Sequence, residues 1–181
     1  MGDLLWDDVA WLLDPADWGY LPDVFVEDTT TADWQAVLDL IRERGWAFEY
    51  AEGTAVLPLP RAEAVLSRSA DAECPSLRVW PHPEVRAIFR FLGDEQIDFD
   101  VDVRELQGQE RLDILCGFLT AIGRRLGRSV PLFPEGGGTE PLLGYDIAAD
   151  RVRVLWSPPD RECAHKPGDI ADPPGILGAH G

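Results

Sequence analysis

The stretch from Val85 to Val103 carries a two-residue periodicity that leaves few choices of fold. Val85, Ala87, Phe89 and Phe91 alternate with Arg86, Ile88 and Arg90, and Ile97, Phe99, Val101 and Val103 alternate with Asp98, Asp100 and Asp102. A period of two is that of a strand, whose side chains point to opposite faces in turn. With Gly93-Asp94-Glu95 as the connecting loop, the two runs predict a hairpin in which Phe91 faces Ile97, Phe89 faces Phe99, Arg90 faces Asp98 and Arg86 faces Asp102. A one-residue slip would set apolar groups against charges, so pattern and turn specify the same register. One face of the sheet is then apolar and must be covered. The other is expected as a solvated, salt-bridged face.

Two helices are predicted to supply the cover. Trp34, Val37, Leu38 and Ile41 recur at helical spacing between about Ala32 and Arg44, ahead of Gly45 and behind the N-cap candidates Asp28-Thr29-Thr30-Thr31. Leu112, Leu115, Cys116, Leu119, Ile122 and Leu126 do the same in a segment from about Leu106 to Leu126, closed by Gly127, with Arg124, Arg125 and Arg128 where cations favour the helix dipole. A further short helix is read over Leu4–Leu13, stopped by Asp14-Pro15, and a helical turn over Arg61–Ser69. Strands are read at Val24–Val26, Trp46–Tyr50, Thr54–Leu57, Val130–Phe133, Leu142–Asp146 and Arg151–Trp156. The fold class is therefore α+β: a mixed or antiparallel sheet with two main helices packed on one face. The stretches Val24–Leu57 and Val101–Asp146 both run strand, helix, strand, strand, which leaves open a sheet built from two similar halves.

At 181 residues the chain fits one domain, placed at residues 1–156, followed by a Pro/Gly-rich tail at 157–181 that is expected to be flexible. No run of about eighteen apolar residues occurs, and the first residues carry Asp3, Asp7 and Asp8 where a secretory signal carries bases, so a cytoplasmic protein is expected. Cys74, Cys116 and Cys163 are too few and too scattered for a disulfide framework or zinc site. The pair Cys163 and His165 offers too few ligands for a tetrahedral metal.

Charge restricts function further. The 33 acids and 16 bases leave a net −17, a field that repels phosphate backbones and anionic lipid and favours basic partners. Direct binding to nucleic acid or membrane is not expected. Residues 1–60 alone hold 13 acids and 2 bases, a net −11, together with Trp6, Trp11, Trp18, Trp34 and Trp46. Asp7, Asp8, Asp14, Asp17 and Asp23 are the candidate steering charges of a partner-binding surface, and Trp11 or Trp18 its candidate anchor.

Signals of catalysis are weaker. Asp98, Asp100 and Asp102 line up as carboxylates do around magnesium in phosphoryl- and nucleotidyl-transfer sites, but Arg86 and Arg90 are expected opposite them, and no Gly-Ser turn with a helix precedes the strand. Gly136-Gly137-Gly138 lacks the Gly-Lys-Ser/Thr sequence of a phosphate cradle. His82, His165 and His180 have no nucleophile partner in a recognisable setting. No catalytic residue, metal or cofactor is assigned, and the oligomeric state is left open.

Leu21–Asp28 with Asp33–Leu38, Ala121–Gly127 with Pro134-Glu135-Gly136, and Leu143–Asp146 together resemble a family of small actinobacterial proteins of uncharacterised role, over most of residues 5–156. That family is similar in size, acidity and helix-then-Pro-Glu-Gly layout to immunity proteins of bacterial toxin systems. The resemblance implies an immunity-like or antitoxin-like inhibitor of a basic toxin, and brings no catalytic residues with it. The alternatives are a regulatory interaction module without a toxin partner, and a metal-dependent transferase using the Asp98-Asp100-Asp102 stripe.

Overall fold

The computed structural model describes residues 2–69 and 71–157; of the tail read at 157–181 all but Ser157, and with it Cys163, His165 and His180, lies outside the described residues. The chain opens with α1 (Trp6–Val9), a 3-10 turn (Ala10–Leu13) and α2 (Pro15–Trp18), followed by β1 (Asp23–Glu27), α3 (Thr31–Glu43), β2 (Ala47–Glu52), β3 (Ala55–Leu57) and α4 (Ala62–Leu66). Then come β4 (Ser76–His82), β5 (Val85–Arg90), β6 (Gln96–Val101), a 3-10 turn (Val103–Glu105), α5 (Gln109–Leu126), β7 (Val130–Phe133), β8 (Leu143–Asp146) and β9 (Arg151–Val154). The nine strands form one sheet in the order β3-β2-β4-β5-β6-β1-β7-β8-β9. Every neighbouring pair is antiparallel. The fold is α+β.

Local chemistry fixes the two long helices. Thr30 caps α3 by accepting from the Asp33 N–H at 3.3 Å, while the Asp33 carboxylate accepts from the Thr30 N–H at 2.9 Å; this reciprocal box satisfies two backbone donors that have no partner inside the helix. α5 ends at Gly127, whose backbone sits in the left-handed region at φ 63°, a conformation that favours glycine. Both helices lie on one face of the sheet: Trp34 of α3 stacks on Phe89 and Phe91 of the β5 segment, and Phe118 of α5 meets the same Phe89 and also Phe99. Phe89, Phe99, Val101, Leu115, Leu119, Trp34 and Leu38 are all buried in one core cluster, as the apolar periodicities predict.

The connectivity has a two-fold pattern. β1 and β6 are antiparallel neighbours at the middle of the sheet; from β1 the chain crosses by α3 to the hairpin β2-β3 on one side, and from β6 it crosses by α5 to β7-β8 on the other. Opposite strand directions and opposite crossing directions on the same face give the two crossovers one hand, as the chirality of β-α-β units demands. The hairpin β4-β5 fills the space between β2 and β6, and no counterpart separates β1 from β7.

Several expectations need correction. Leu4–Leu13 is not one helix but a single turn of α-helix and a 3-10 turn, and Asp14-Pro15 opens α2: Asp14 accepts the Ala16 N–H at 2.9 Å and Pro15 occupies the first helical turn, where its missing N–H costs nothing. β4, a strand not expected from the sequence pattern, pairs with both β2 and β5. α5 starts at Gln109, after Gly108, and not at Leu106. The hairpin pairs Phe89 with Phe99 and Arg90 with Asp98 as expected, but its ladder runs from Ala87–Val101 to Arg90–Asp98 and omits the Phe91–Ile97 and Arg86–Asp102 pairs. Asp102 has left the strand to cap the following 3-10 turn through the Arg104 N–H, so Arg104 becomes its ion-pair partner and Arg86 approaches Glu105. The acidic face is not solvated either: Asp98, Asp100 and Asp102 are only 7%, 2% and 8% exposed.

Candidate functional site

The amino-terminal segment folds against the apolar side through Val9, Leu12 and Leu13, all buried, and turns Trp11 and the acids outward. Its hydrogen bonds hold the tryptophans in place. Trp11 Nε1 donates to the Asp8 carbonyl at 3.1 Å and Trp18 Nε1 donates to the Trp11 carbonyl at 3.0 Å. The two rings lie 6.4 Å apart, and Trp156, following β9, packs edge-on to both at 5.2 and 6.1 Å. Trp156 is itself fixed by its N–H, which donates to the Leu142 carbonyl at 3.1 Å. Trp11 remains 43% exposed, and Trp18 is half-buried.

The exit from this segment is pinned to the loop after β7. The Glu135 N–H donates to the Trp18 carbonyl at 3.0 Å, and the Glu135 carboxylate accepts from the Tyr20 N–H at 2.7 Å. Gly19 between them has φ 84°, and a Cβ there would run into the Glu135 side chain, so the position needs glycine for both conformation and space. Tyr20 is exposed, with the Arg104 guanidinium over its ring at 5.1 Å.

Four of the five predicted steering acids belong to this surface. Asp7 and Asp8 occupy the first turn of α1, Asp14 caps α2 and Asp17 lies in its first turn; all are exposed and, among the described residues, none is ion-paired. Asp23 stands apart, on β1 in register with Asp100, with its carboxylate accepting the Gly136 N–H at 3.1 Å. Trp34 is core, and Trp46 packs on Phe118 at 5.0 Å. Trp156, which sequence reasoning did not assign to the site, comes from the far end of the described chain; no local signal marks it.

Asp23, Asp98, Asp100 and Arg90 form the second acidic constellation, on the sheet face opposite the helices. Arg90 pairs closely with Asp100, and its other nitrogen stays 3.9 Å from Asp98. The Asp98 Oδ1 and Asp100 Oδ1 atoms are buried without a hydrogen-bond partner. Burial pushes the Asp98 carboxyl up to about 6, with Arg90 pulling the other way, and raises Asp100 and Asp23 as well. Where a divalent ion would bridge these acids, the Arg90 guanidinium already sits. Among the described residues no group of three or more His, Cys, Asp or Glu is placed to hold a metal ion. Cys116 is buried with its thiol pushed up to about 12, and such a group is a small hydrophobe, not a nucleophile. No helix among the described residues is long and apolar enough to cross a membrane.

Comparison with known protein families, curated proteins and solved structures gave no match to this chain.

Proposed function

We propose that the chain is a non-catalytic, acidic protein-binding protein whose Trp11–Trp18–Trp156 face docks a basic partner, in the manner of an immunity protein or antitoxin that occupies the basic groove of a toxin. One observation carries this reading: an exposed tryptophan, held by hydrogen bonds and backed by two further indoles, sits among four exposed carboxylates that have no cation partner among the described residues. Elsewhere some acids are neutralised within the fold, as in the pairs of Glu43 with Arg125 and Asp150 with Arg124. Rigid aromatic groups supply most of the energy of a protein interface, while unpaired charges around them raise the rate of encounter and select the sign of the partner. The net −11 of residues 1–60 adds to the same field.

The test is affinity capture from the native cell with the wild-type chain and with Trp11→Ala, read alongside the adjacent reading frame. A basic protein retained by the wild type and lost by the correctly folded variant supports the proposal. Equal retention by both contradicts it.

A further inference from the structure

The ladder between β1 and β7 stops after two pairs, Asp23–Phe133 and Val24–Leu132, although β1 continues to Glu27 and β7 begins at Val130. The cause is Pro131. The Leu132 carbonyl accepts from the Leu142 N–H on the β8 side, so in the alternating pattern of an antiparallel strand the backbones of Pro131 and Phe133 face β1. Proline has no N–H to offer Phe25 there. The strands diverge, and a cleft of about 570 Å³ opens between them, lined by Phe25, Glu27, Arg128, Ser129, Phe133 and Thr139 among others. That volume is within the range of small-molecule sites.

Its lining carries both signs of charge. Ten arginines of the described chain are ion-paired, whereas Arg128, like Arg44, Arg61 and Arg151, has no ion pair among the described residues. Glu27 likewise has no cation among the described residues. The rings of Phe25 and Phe133, 5.7 Å apart and tilted by 39°, line the same cleft with Pro131. Ser129 Oγ accepts the Ile147 N–H at 3.1 Å and keeps its own proton to donate.

We infer that the β1–β7 cleft binds a small zwitterion with an apolar body, an α-amino acid, its carboxylate on Arg128, its ammonium on Glu27 and its side chain against Phe25 and Phe133. A fork of guanidinium donors matches a carboxylate, an opposing carboxylate selects for an ammonium group, and an aromatic floor favours an apolar side chain. This site is independent of the tryptophan face.

Titration of the full chain with L-phenylalanine, followed by the amide NMR shifts of Ser129, Gly138 and Thr139, tests it. Phenylacetate and phenethylamine, each lacking one charge, serve as controls. The expected result is saturable shifts at these three amides. Arg128→Ala and Glu27→Gln, each verified as folded by its melting temperature, should each weaken binding about tenfold, as should loss of either charge from the ligand. No shift at about 10 mM L-phenylalanine, a range where even millimolar affinity saturates, overturns the inference. So do shifts confined to other amides, or phenylacetate binding as tightly as L-phenylalanine with no effect of Glu27→Gln. If Arg128→Ala does not fold, the exposed Glu27→Gln and the two control ligands still decide.

Discussion

Arg90 on β5 closes its ion pair on Asp100, two residues along β6, and stands 3.9 Å from Asp98, the residue directly opposite it in register. Asp98 is thus buried beside a cation that is committed elsewhere. Its carboxyl is pushed from 3.8 to about 6, chiefly by burial. Because the folded value lies above the unfolded one, protonated Asp98 favours folding; that contribution is complete below about pH 4 and is lost as pH rises through about 6. A displacement of this size corresponds to about 3 kcal/mol as an upper figure. Asp98→Asn should therefore raise stability at pH 7 by about 1 to 3 kcal/mol and flatten its dependence between about pH 4 and 6. Urea denaturation of both proteins at pH 5 and pH 7.5 checks this; a variant less stable at both pH values contradicts it.

Asp150 should titrate in the opposite sense. The bidentate Arg124 guanidinium, at 2.7 and 2.9 Å, and the Tyr145 hydroxyl hold its carboxyl down at about 2. Its folded value lies below the unfolded one, so its contribution is present above about pH 4 and is lost as pH falls towards 2. Asp150→Asn should leave the trend between pH 4 and 6 untouched and reduce the loss of stability below pH 4, which acid titration followed by circular dichroism reads.

Phe99 lies at the centre of the sheet, 4.5 Å from Phe89 and 5.6 Å from Phe118 between ring centroids, and is fully buried. Phe99→Ala should cost about 3 to 5 kcal/mol, since two aromatic neighbours on different elements cannot both collapse into the space. Equilibrium denaturation gives the value, and a loss below about 1 kcal/mol would contradict a central β6.

α5 rests on β8 through a contact that admits no side chain at Gly123. A Cβ there would lie within the ring of Tyr145, which is buried and hydrogen-bonded to Asp150, so the ring cannot swing away freely. Gly123→Ala should therefore destabilise by about 1 to 3 kcal/mol despite alanine's better helix propensity. Thermal unfolding of this variant beside Gly117→Ala, where nothing lies within 4 Å of the new Cβ, separates packing from propensity.

Periodicity made the core legible: the apolar faces of β5, β6, α3 and α5 are where the spacing puts them, because burying one face is what each element gains from folding. Strand order was not legible, since β1 pairs with β6 over more than seventy residues and no local pattern records it. β4 escaped because Pro75 just before it and Pro81 within its last two residues read as breakers, although Leu77 and Val79 alternate with Ser76, Arg78 and Trp80. The burial of Asp98 and Asp100 was hidden for a similar reason. Alternation shows which residues share a face but not what stands beside them, and here Phe25 of β1 and Ile88 of β5 flank the acids in register. The candidate docking surface was half legible: charge density and the tryptophans at 11 and 18 were visible, and the third indole, Trp156, required the tertiary fold.

The measurement that bears most directly on the proposed function is association and dissociation kinetics with the captured basic partner, made on the same variants whose melting temperatures are known. Asp7, Asp8 and Asp17 changed together to Lys should slow association about tenfold, with a smaller effect on dissociation. Asp14 is left unchanged, because it caps α2. Trp11→Ala should speed dissociation and weaken binding by about 2 kcal/mol or more, with the melting temperature held. Unchanged association after the triple reversal, or a Trp11→Ala protein that melts earlier yet binds with full affinity per folded molecule, would contradict the account.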